Sequence, residues 1–490
     1  MRFAELLPDR RAAIPPDLAD RELLGLTADS RRVAEGFLFA ALPGHRLDGR
    51  SFIGEAIGRG AIGVLALPGT RLPEHDRPVA LIESEEPRRL LAQLAARLYQ
   101  PHPRIVTAVT GTNGKTSTVT FARQIWAGLG TPAASLGTLG LQPPRADAPA
   151  SLTTPDPVEL ARCLAGLAAD GVEAVALEAS SHGLDQYRLD GLTLSAAAFT
   201  NLSRDHLDYH GSMEAYFSAK ARLFAELLPA GGTAVLNADV PEYAPLAEMA
   251  RGRGQRLLGY GRAGGELRLQ GLRAEPAGLS LALSLLGLEA SVRLPVAGTF
   301  QAANLLAAIG LVLADRDVTP AAVLDVLPRL SGVPGRVERV GRSRRGGEVY
   351  VDYAHTPDAL ATVLAALRPH ATGRLVVAFG AGGDRDPGKR PLMGQAATAG
   401  ADLVIVTDDN PRSEDPAAIR AAVMAGAPGA REIGDRREAI VAAIGLLGAG
   451  DLLVIAGKGH EQGQIVGARV LPFDDRVVAR EALQADGGAA

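Results

Sequence analysis

The chain has one cysteine, Cys163, in 490 residues, so no intrachain disulfide framework exists and a reducing compartment is expected. Cys163 sits in an Ala/Leu-rich helical pattern, where a small buried hydrophobe explains it better than a nucleophile does. No excess of one charge is present either. Lys+Arg number 51 against 55 Asp+Glu, for a net charge of -4, and the pI is near 6.2. This balance points to neither a nucleic-acid nor a membrane surface. No 18-residue apolar run is free of charges or breakers, so no membrane span is expected. Met1–Asp20 is charged throughout and has no signal-peptide core. The chain reads as a soluble, cytosolic monomer, with Gly487-Gly488-Ala489-Ala490 as a frayed end.

What is present is apolar residue in quantity, 47%, enough for large cores, over a length that suggests about three domains. Residues 1–102 mix short strands, Gly36–Leu42 and Ala61–Leu67, with helical stretches, and Pro101-His102-Pro103 makes a stiff linker. Residues 103–332 follow an α/β pattern with buried strands Ile105–Val109, Ala174–Leu177, Ala196–Phe199 and Thr233–Asn237. A break at Ser331–Gly335 leads to a second α/β pattern, 333–490, with parallel strands Val349–Val351, Leu375–Phe379, Leu403–Thr407 and Leu452–Ala456. Ligands of open α/β sheets bind beyond the carboxyl ends of strands, so the chemistry is expected in the loops that follow these strands.

The most informative of those loops is Val109-Thr110-Gly111-Thr112-Asn113-Gly114-Lys115-Thr116, between a strand and a helix expected over Ser117–Leu129. Backbone N–H groups and a helix N-terminus there suit a polyphosphate. Lys115 would reach the β- and γ-phosphates, and the Thr116 hydroxyl would face Mg²⁺. Val109 stands where the general pattern has glycine. A tight turn opening a buried helix is the plainer reading, and context favours a nucleotide.

The other loops are less specific. Glu178-Ala179-Ser180-Ser181-His182-Gly183 offers a strand-end carboxylate for Mg²⁺ or, equally, a helix-capping cluster. Asn201–His210 places Asp205, His206, Asp208 and His210 together, for metal binding or proton transfer, against a solvated loop. Lys220, by pattern alone, reads as an exposed helix lysine. Arg385 and Arg412 each occupy a strand-end loop and suggest a substrate with carboxylates, unless they pair with adjacent aspartates. Gly457-Lys458-Gly459-His460-Glu461 adds a glycine turn and a carboxylate able to receive an ammonium group.

Seven strings in order resemble the Mur ligase family: Thr110–Thr116, Glu178–Leu184, Asn201–Gly211, Asp352–Asp358, Gly382–Asp386, Asp409–Arg412 and Gly457–Glu461. The resemblance covers nearly the whole chain. It implies a uridine-binding N-terminal α/β domain, a central P-loop ATPase domain with a mainly parallel sheet, and a Rossmann-like C-terminal α/β domain. It further implies an ATP-dependent amide ligase of peptidoglycan synthesis. Such an enzyme adds meso-diaminopimelate to the D-glutamyl γ-carboxylate of UDP-N-acetylmuramoyl-L-alanyl-D-glutamate through an acyl phosphate.

By resemblance, ATP lies on Gly111, Thr112, Asn113, Gly114, Lys115, Thr116 and Ser117, with Asn304, Arg336, Asp352 and His355. Mg²⁺ falls to Thr116, Glu178 and His206, and to Lys220 as a CO₂-derived carbamate, which would turn an ammonium into an anionic oxygen ligand. Lys115, Glu178, His206 and Lys220 are the implied catalytic set. Ser30, His45 and Arg46 fall on uridine-side loops, and Thr153, Thr154, Ser180, Gln186 and Arg188 on the muramoyl-dipeptide side. Arg385, Asp409, Asn410, Pro411, Arg412, Gly457 and Glu461 match diaminopimelate contacts, Arg412 gripping the distal carboxylate. Ala28 and Leu152 depart from the family pattern, and no contact is carried over to them. The rivals are a sibling ligase for another amino acid and a P-loop regulatory ATPase, which would need no amine substrate.

Overall fold

The computed structural model describes residues 1–7, 14–44, 47–146, 148, 152–276 and 278–489. His45 and Arg46 lie outside the described residues. The chain divides into two compact units, Met1–Gly259 with Ala307–Asp317, and Tyr260–Leu306 with Val318–Ala490.

The first unit holds two parallel-rich sheets. In the smaller, β1 (Gly25–Thr27), β2 (Phe37–Ala40), β3 (Gly63–Ala66) and β4 (Ala80–Glu83) pair in chain order, all parallel. Alternate side chains feed two cores. Leu38 and Leu65 pack with Leu91 and Leu94 of α1 (Pro87–Leu98), while Phe39 and Val64 pack with Ile53 and Ile57. Burial on both faces is why these strands read as continuous apolar runs.

The larger sheet is built on β5 (Ile105–Thr110), every residue of which is buried. The chain passes through α2 (Lys115–Gly128), β6 (Ala133–Gly137), β7 (Gly140–Gln142) and α3 (Pro157–Ala169) to β8 (Ala174–Glu178). It continues through α4 (Ser181–Asp185), β9 (Ala196–Phe199), α5 (Met213–Arg222) and β10 (Thr233–Asn237). Strand order is β10-β9-β5-β8-β6-β7, parallel except for β7. The chain leaves β5 toward β6 on one side and returns to β9 on the other. That reversal opens a crevice at the carboxyl ends of β5, β8 and β9. β11 (Arg256–Gly261) runs across the boundary between the units.

The second unit begins with an antiparallel meander, β12 (Leu267–Glu275), β13 (Gly278–Leu285) and β14 (Leu288–Leu294). The α/β reading of 103–332 omits it. Its signal is the period-two row Leu279, Leu281, Leu283 and Leu285, all buried. Next come β15 (Glu338–Arg342), β16 (Glu348–Asp352), β17 (Leu375–Phe379), β18 (Leu403–Val406), β19 (Arg431–Glu432) and β20 (Leu452–Ala456). They form one sheet in the order β15-β16-β20-β17-β18-β19, in which only β15 is antiparallel. Val377, Phe379 and Val454 face one apolar layer; Val376, Ala378 and Leu453 face the other, against Ile440 and Val478. A hairpin, β21 (Gly463–Val466) and β22 (Arg469–Pro472), follows.

The frayed C-terminus expected from Gly487-Gly488-Ala489 is instead pinned. Ala489 and Arg342 exchange two backbone hydrogen bonds, of 2.6 and 2.8 Å, which extend the edge beside β15. Among the described residues no helix is long and apolar enough to cross a membrane.

Candidate active site

The loop after β5 turns at Gly111, whose φ of +143° and contact with the Thr200 hydroxyl leave no room for a Cβ. Val109, where the general pattern has glycine, is a buried strand residue in register with Glu178. The turn therefore starts two residues later. The helix after the loop is Lys115–Gly128, two residues earlier than the pattern suggests. The Thr112 N–H donates to Asn201 O and the Asn113 N–H to Asn201 Oδ1, each at 2.9 Å. Those two N–H groups therefore secure the loop to the end of β9. Anion attraction rests on the N-terminus of α2, whose first N–H groups have no acceptor within the helix.

Lys115 Nζ donates to Gly111 O and Thr112 O, both at 2.9 Å. Lys220 Nζ donates to the same Gly111 O at 2.8 Å. Lys220 is 1% exposed, which corrects its reading as a surface lysine. It projects from α5 into the protein, over the Tyr216 ring at 4.3 Å from Nζ. Burial, and then the Lys115 charge, hold its pKa well below the usual lysine value, against the pull of Asp205. The Tyr216 hydroxyl lies 3.2 Å from Thr112 Oγ1 and so ties this ring to the loop.

Glu178 ends β8 with 2% exposure. Oε1 accepts the Thr138 N–H at 2.9 Å, and Oε2 accepts the Thr138 hydroxyl at 3.0 Å. Gly137 has no side chain to obstruct it. No ion pair among the described residues neutralises this buried carboxylate. An uncompensated buried anion beside a phosphate loop suits a hard cation with oxygen ligands. The helix cap belongs instead to Ser180, whose Oγ accepts the Gly183 N–H.

The loop after β9 gathers rings edge-on or tilted around His182 of α4. His182 lies 4.9 Å from His206 and 5.6 Å from His210, and His210 lies 5.2 Å from Tyr216. Burial, then neighbouring positive charge, lowers the pKa of His182. His206 sits at φ +53° with its side chain 47% exposed, near Asp205. No group of three or more His, Cys, Asp or Glu among the described residues is arranged to hold a metal ion.

The five residues assigned to the muramoyl-dipeptide side converge on one network. Thr154 Oγ1 donates to Glu178 O at 2.8 Å and lies 3.0 Å from Ser180 Oγ. Thr153 Oγ1 lies 3.2 Å from Thr138 Oγ1. Arg188 donates to Thr154 O and to Gln186 Oε1. Ser30, near the N-terminus, is buried and donates to Glu55 at 3.0 Å.

In the second unit, Asp352 ends β16 and accepts N–H groups of Val337 at 2.8 Å and Ala354 at 2.7 Å. Burial raises its pKa, opposed by Arg336 and these N–H groups. The Arg336 guanidinium lies over the Tyr353 ring at 4.4 Å, and His355 Nδ1 meets Tyr353 O at 2.9 Å. Asn304 is buried on the helix Gln301–Val312 and donates to Gln301.

The loops after β17, β18 and β20 meet. Arg412 stands at φ +54°, with a guanidinium N–H on Gly383 O at 2.7 Å. Its backbone pairs with the hairpin: Arg412 N–H to Ile465 O at 3.0 Å, and Gly467 N–H to Arg412 O at 2.7 Å. Neither Arg385 nor Arg412 makes an ion pair within 4.0 Å among the described residues, so pairing with adjacent aspartates does not account for them. Pro411 O accepts from Glu414 N–H. Gly457, at φ +118°, lies against Asp409. Asp409 is buried, its pKa raised by desolvation against the pull of Arg436 and Lys458, and its Oδ1 has no hydrogen-bond donor. Glu461, expected to receive an ammonium, already receives one from Lys458 at 3.1 Å.

Family models match the chain over three stretches: "Mur ligase family, catalytic domain" over 22–99, "Mur ligase middle domain" over 109–312 and "Mur ligase, glutamate ligase domain" over 335–459. A UDP-N-acetylmuramoyl-L-alanyl-D-glutamate--2,6-diaminopimelate ligase of Caulobacter vibrioides is 54% identical over 475 residues, 96% of this chain and 97% of that protein. The chain belongs to the Mur ligase family. The same-named protein of Brucella melitensis is 50% identical over 471 residues, 96% of each chain. A solved structure with that name is 36% identical with a TM-score of 0.73, over 99% of both chains. A MurF ligase of Thermotoga maritima solved with ADP, 19% identical with a TM-score of 0.63 over 95% of this chain and 98% of that one, shares the Mur ligase fold.

Thr138, Tyr216, Lys458 and Gln464 enter these sites without having been singled out from the sequence. One compositional signal finds Lys458. Of the 51 Lys and Arg residues only four are lysines, Lys115, Lys220, Lys389 and Lys458. Three of the four, Lys115, Lys220 and Lys458, lie in the loops and helix just described.

Proposed function

We propose that this Mur ligase joins meso-diaminopimelate to the D-glutamyl γ-carboxylate of UDP-N-acetylmuramoyl-L-alanyl-D-glutamate, with ATP converted to ADP and phosphate. The similarity of relatives bearing that name along almost the whole chain supports the reaction. The observation that carries the choice of amino acid is Arg412. It is a cation without an ion-pair partner among the described residues, fixed at positive φ in the loop that also carries Asp409 and that Asn410 ties to Glu461. An amino-acid end bearing both carboxylate and ammonium fits that pair of signs; the side chain of lysine lacks the carboxylate.

The division of labour proposed is 1–102 for the uridine end, 103–332 for ATP and the carboxylate, and 333–490 for the amino acid. The γ-carboxylate oxygen attacks the γ-phosphorus as the bond to ADP breaks, and an acyl phosphate results. The amine then attacks the acyl carbon and loses a proton, and phosphate departs through a tetrahedral intermediate. Lys115 and the N-terminus of α2 hold the polyphosphate, and Thr153, Thr154, Ser180, Gln186 and Arg188 hold the dipeptide. Mg²⁺ bound by Glu178 and Thr116 would neutralise the approach of two anions.

Burial and the Lys115 charge lower the pKa of Lys220, which favours the neutral amine that combines with CO₂. The carbamate so formed keeps one N–H for Gly111 O and gains oxygens for a cation. The reaction is tested by incubating the enzyme with the UDP-muramoyl dipeptide, ATP, Mg²⁺ and each candidate amino acid, then weighing the product. Product with lysine and none with diaminopimelate would overturn the specificity. Phosphate release that needs no amine would favour a regulatory ATPase.

A further inference from the structure

Lys458 is 0% exposed, in the loop after β20. Its ammonium meets Asn410 Oδ1 at 3.0 Å, Glu461 Oε2 at 3.1 Å and Asp409 Oδ1 at 3.7 Å. The first two are hydrogen bonds and the third is a longer ion-pair contact, a set that suits a compact ammonium point charge. The use of lysine here, in a chain that otherwise takes arginine almost everywhere, accords with that geometry.

Asn410 is the hub. Its Oδ1 accepts from Lys458 Nζ and from the Ile465 N–H at 2.9 Å, both obligate donors, and its Nδ2 donates to Glu461 Oε2 at 3.0 Å. The orientation of the amide is thereby fixed, and one amide hydrogen is left over. Gln464 Nε2 adds a bond to Asp409 O at 2.7 Å. Both oxygen sites of the Asn410 amide are thus spent on the scaffold that carries Arg412.

The charges are unequal. Asp409 and Glu461 face one ammonium, while Arg436 and Asp475 neutralise each other nearby, both 0% exposed. By formal charge one negative is left over among these five groups, and Asp409 Oδ1 lacks a hydrogen-bond donor.

We infer that Lys458 is the positioning residue of the amino-acid site: through Asn410 and Glu461 it sets the spacing at which Arg412 meets a carboxylate and the residual negative charge meets an ammonium. This rests on the reading of the site as one for an amino-acid substrate. Lys458, at 0% exposure, presents no surface to a substrate. It acts by holding two loops in one arrangement, and a misplacement of about 1 Å in such a site costs about a hundredfold.

The test compares Lys458→Met, Glu461→Gln and the double variant, each with KM for the amino acid, KM for ATP, KM for the UDP-dipeptide, and kcat. Lys458→Met is expected to raise KM for the amino acid by about tenfold to a hundredfold, with the other two KM values within about twofold. In the Glu461→Gln background the same change is expected to add less than it does alone, because one of the contacts of Lys458 is already altered. Equal rises in all three KM values, or effects that multiply in the double variant, would overturn the inference. If Lys458→Met fails to fold, Lys458→Gln, which keeps a donor toward Asn410, carries the same comparison. The wild-type product mass reports separately on the substrate. If another amino acid is joined, the function reading falls and the KM comparison is made with that amino acid.

Discussion

In the proposed reaction the phosphate end and the amino-acid end are built on opposite plans. At the phosphate end, recognition is carried by backbone: a turn beginning at Gly111, a helix N-terminus, and two lysines that share Gly111 O as acceptor. At the amino-acid end it is carried by side chains from three loops, cross-linked through Asn410 and Lys458 and underpinned by the buried Arg436–Asp475 pair. Phosphate is the same in every nucleotide, so a rigid local cradle serves it. An amino acid must be told from its neighbours, and that requires charges of both signs at a set spacing.

The largest effect should fall at the phosphate end. Lys115→Ala is expected to lower kcat by about 10³–10⁵-fold, the range for a cation acting on a transferring phosphoryl group. The measurement is phosphate release with saturating substrates. A loss confined to KM for the amino acid would break the division between the two ends.

Next in size is stability. Arg436 donates to both oxygens of Asp475 at 2.7 Å, with both side chains fully buried. Arg436→Met should cost about 3–5 kcal/mol in denaturant unfolding, because it strands a buried carboxylate. Arg436→Met combined with Asp475→Leu should recover most of that loss. If the single and double variants unfold alike, the pair is not what braces the amino-acid end.

Arg412→Ala should lower kcat/KM for diaminopimelate by about a hundredfold, with KM for ATP unchanged. Steady-state kinetics with each substrate varied in turn reads this directly. Unchanged diaminopimelate use would defeat the assignment of Arg412.

How much of each end could be read in the sequence follows from the same difference in plan. The phosphate loop is contiguous, so Thr110–Thr116 announced itself, and β9, β10, β17 and β20 matched their apolar runs residue for residue. Lys220 could not be read that way. Its helix has a polar face like any other, and only the packing of α5 against the loop turns that face inward. The amino-acid end is scattered over residues 382–467, and Lys458 lay unremarked inside a string valued for its glycines. Arg412 and Glu461 are legible as charges in strand-end loops; the scarcity of lysine is the signal for Lys458. The meander β12–β14 was missed because a crossover pattern was extended through a stretch of period two.

The smallest expected effect sets two buried tyrosines against each other, Tyr216 beside the phosphate loop and Tyr350 within β16. Burial raises the phenol of Tyr216 to about 12 and that of Tyr350 to about 12. Below pH 10 both are protonated in folded and unfolded chains alike, so neither makes stability depend on pH. Between pH 10 and about 12 the unfolded chain ionises first and stability falls, and Tyr→Phe at either position should flatten that fall. At neutral pH the two variants should part. Tyr216 loses its bond to Thr112, at about 1 kcal/mol, whereas the Tyr350 hydroxyl is buried without a partner, so its removal should be neutral or stabilising. Equal losses at neutral pH would mean that the Tyr216 hydroxyl does not brace the phosphate loop, and that the ring beneath Lys220 is its whole contribution.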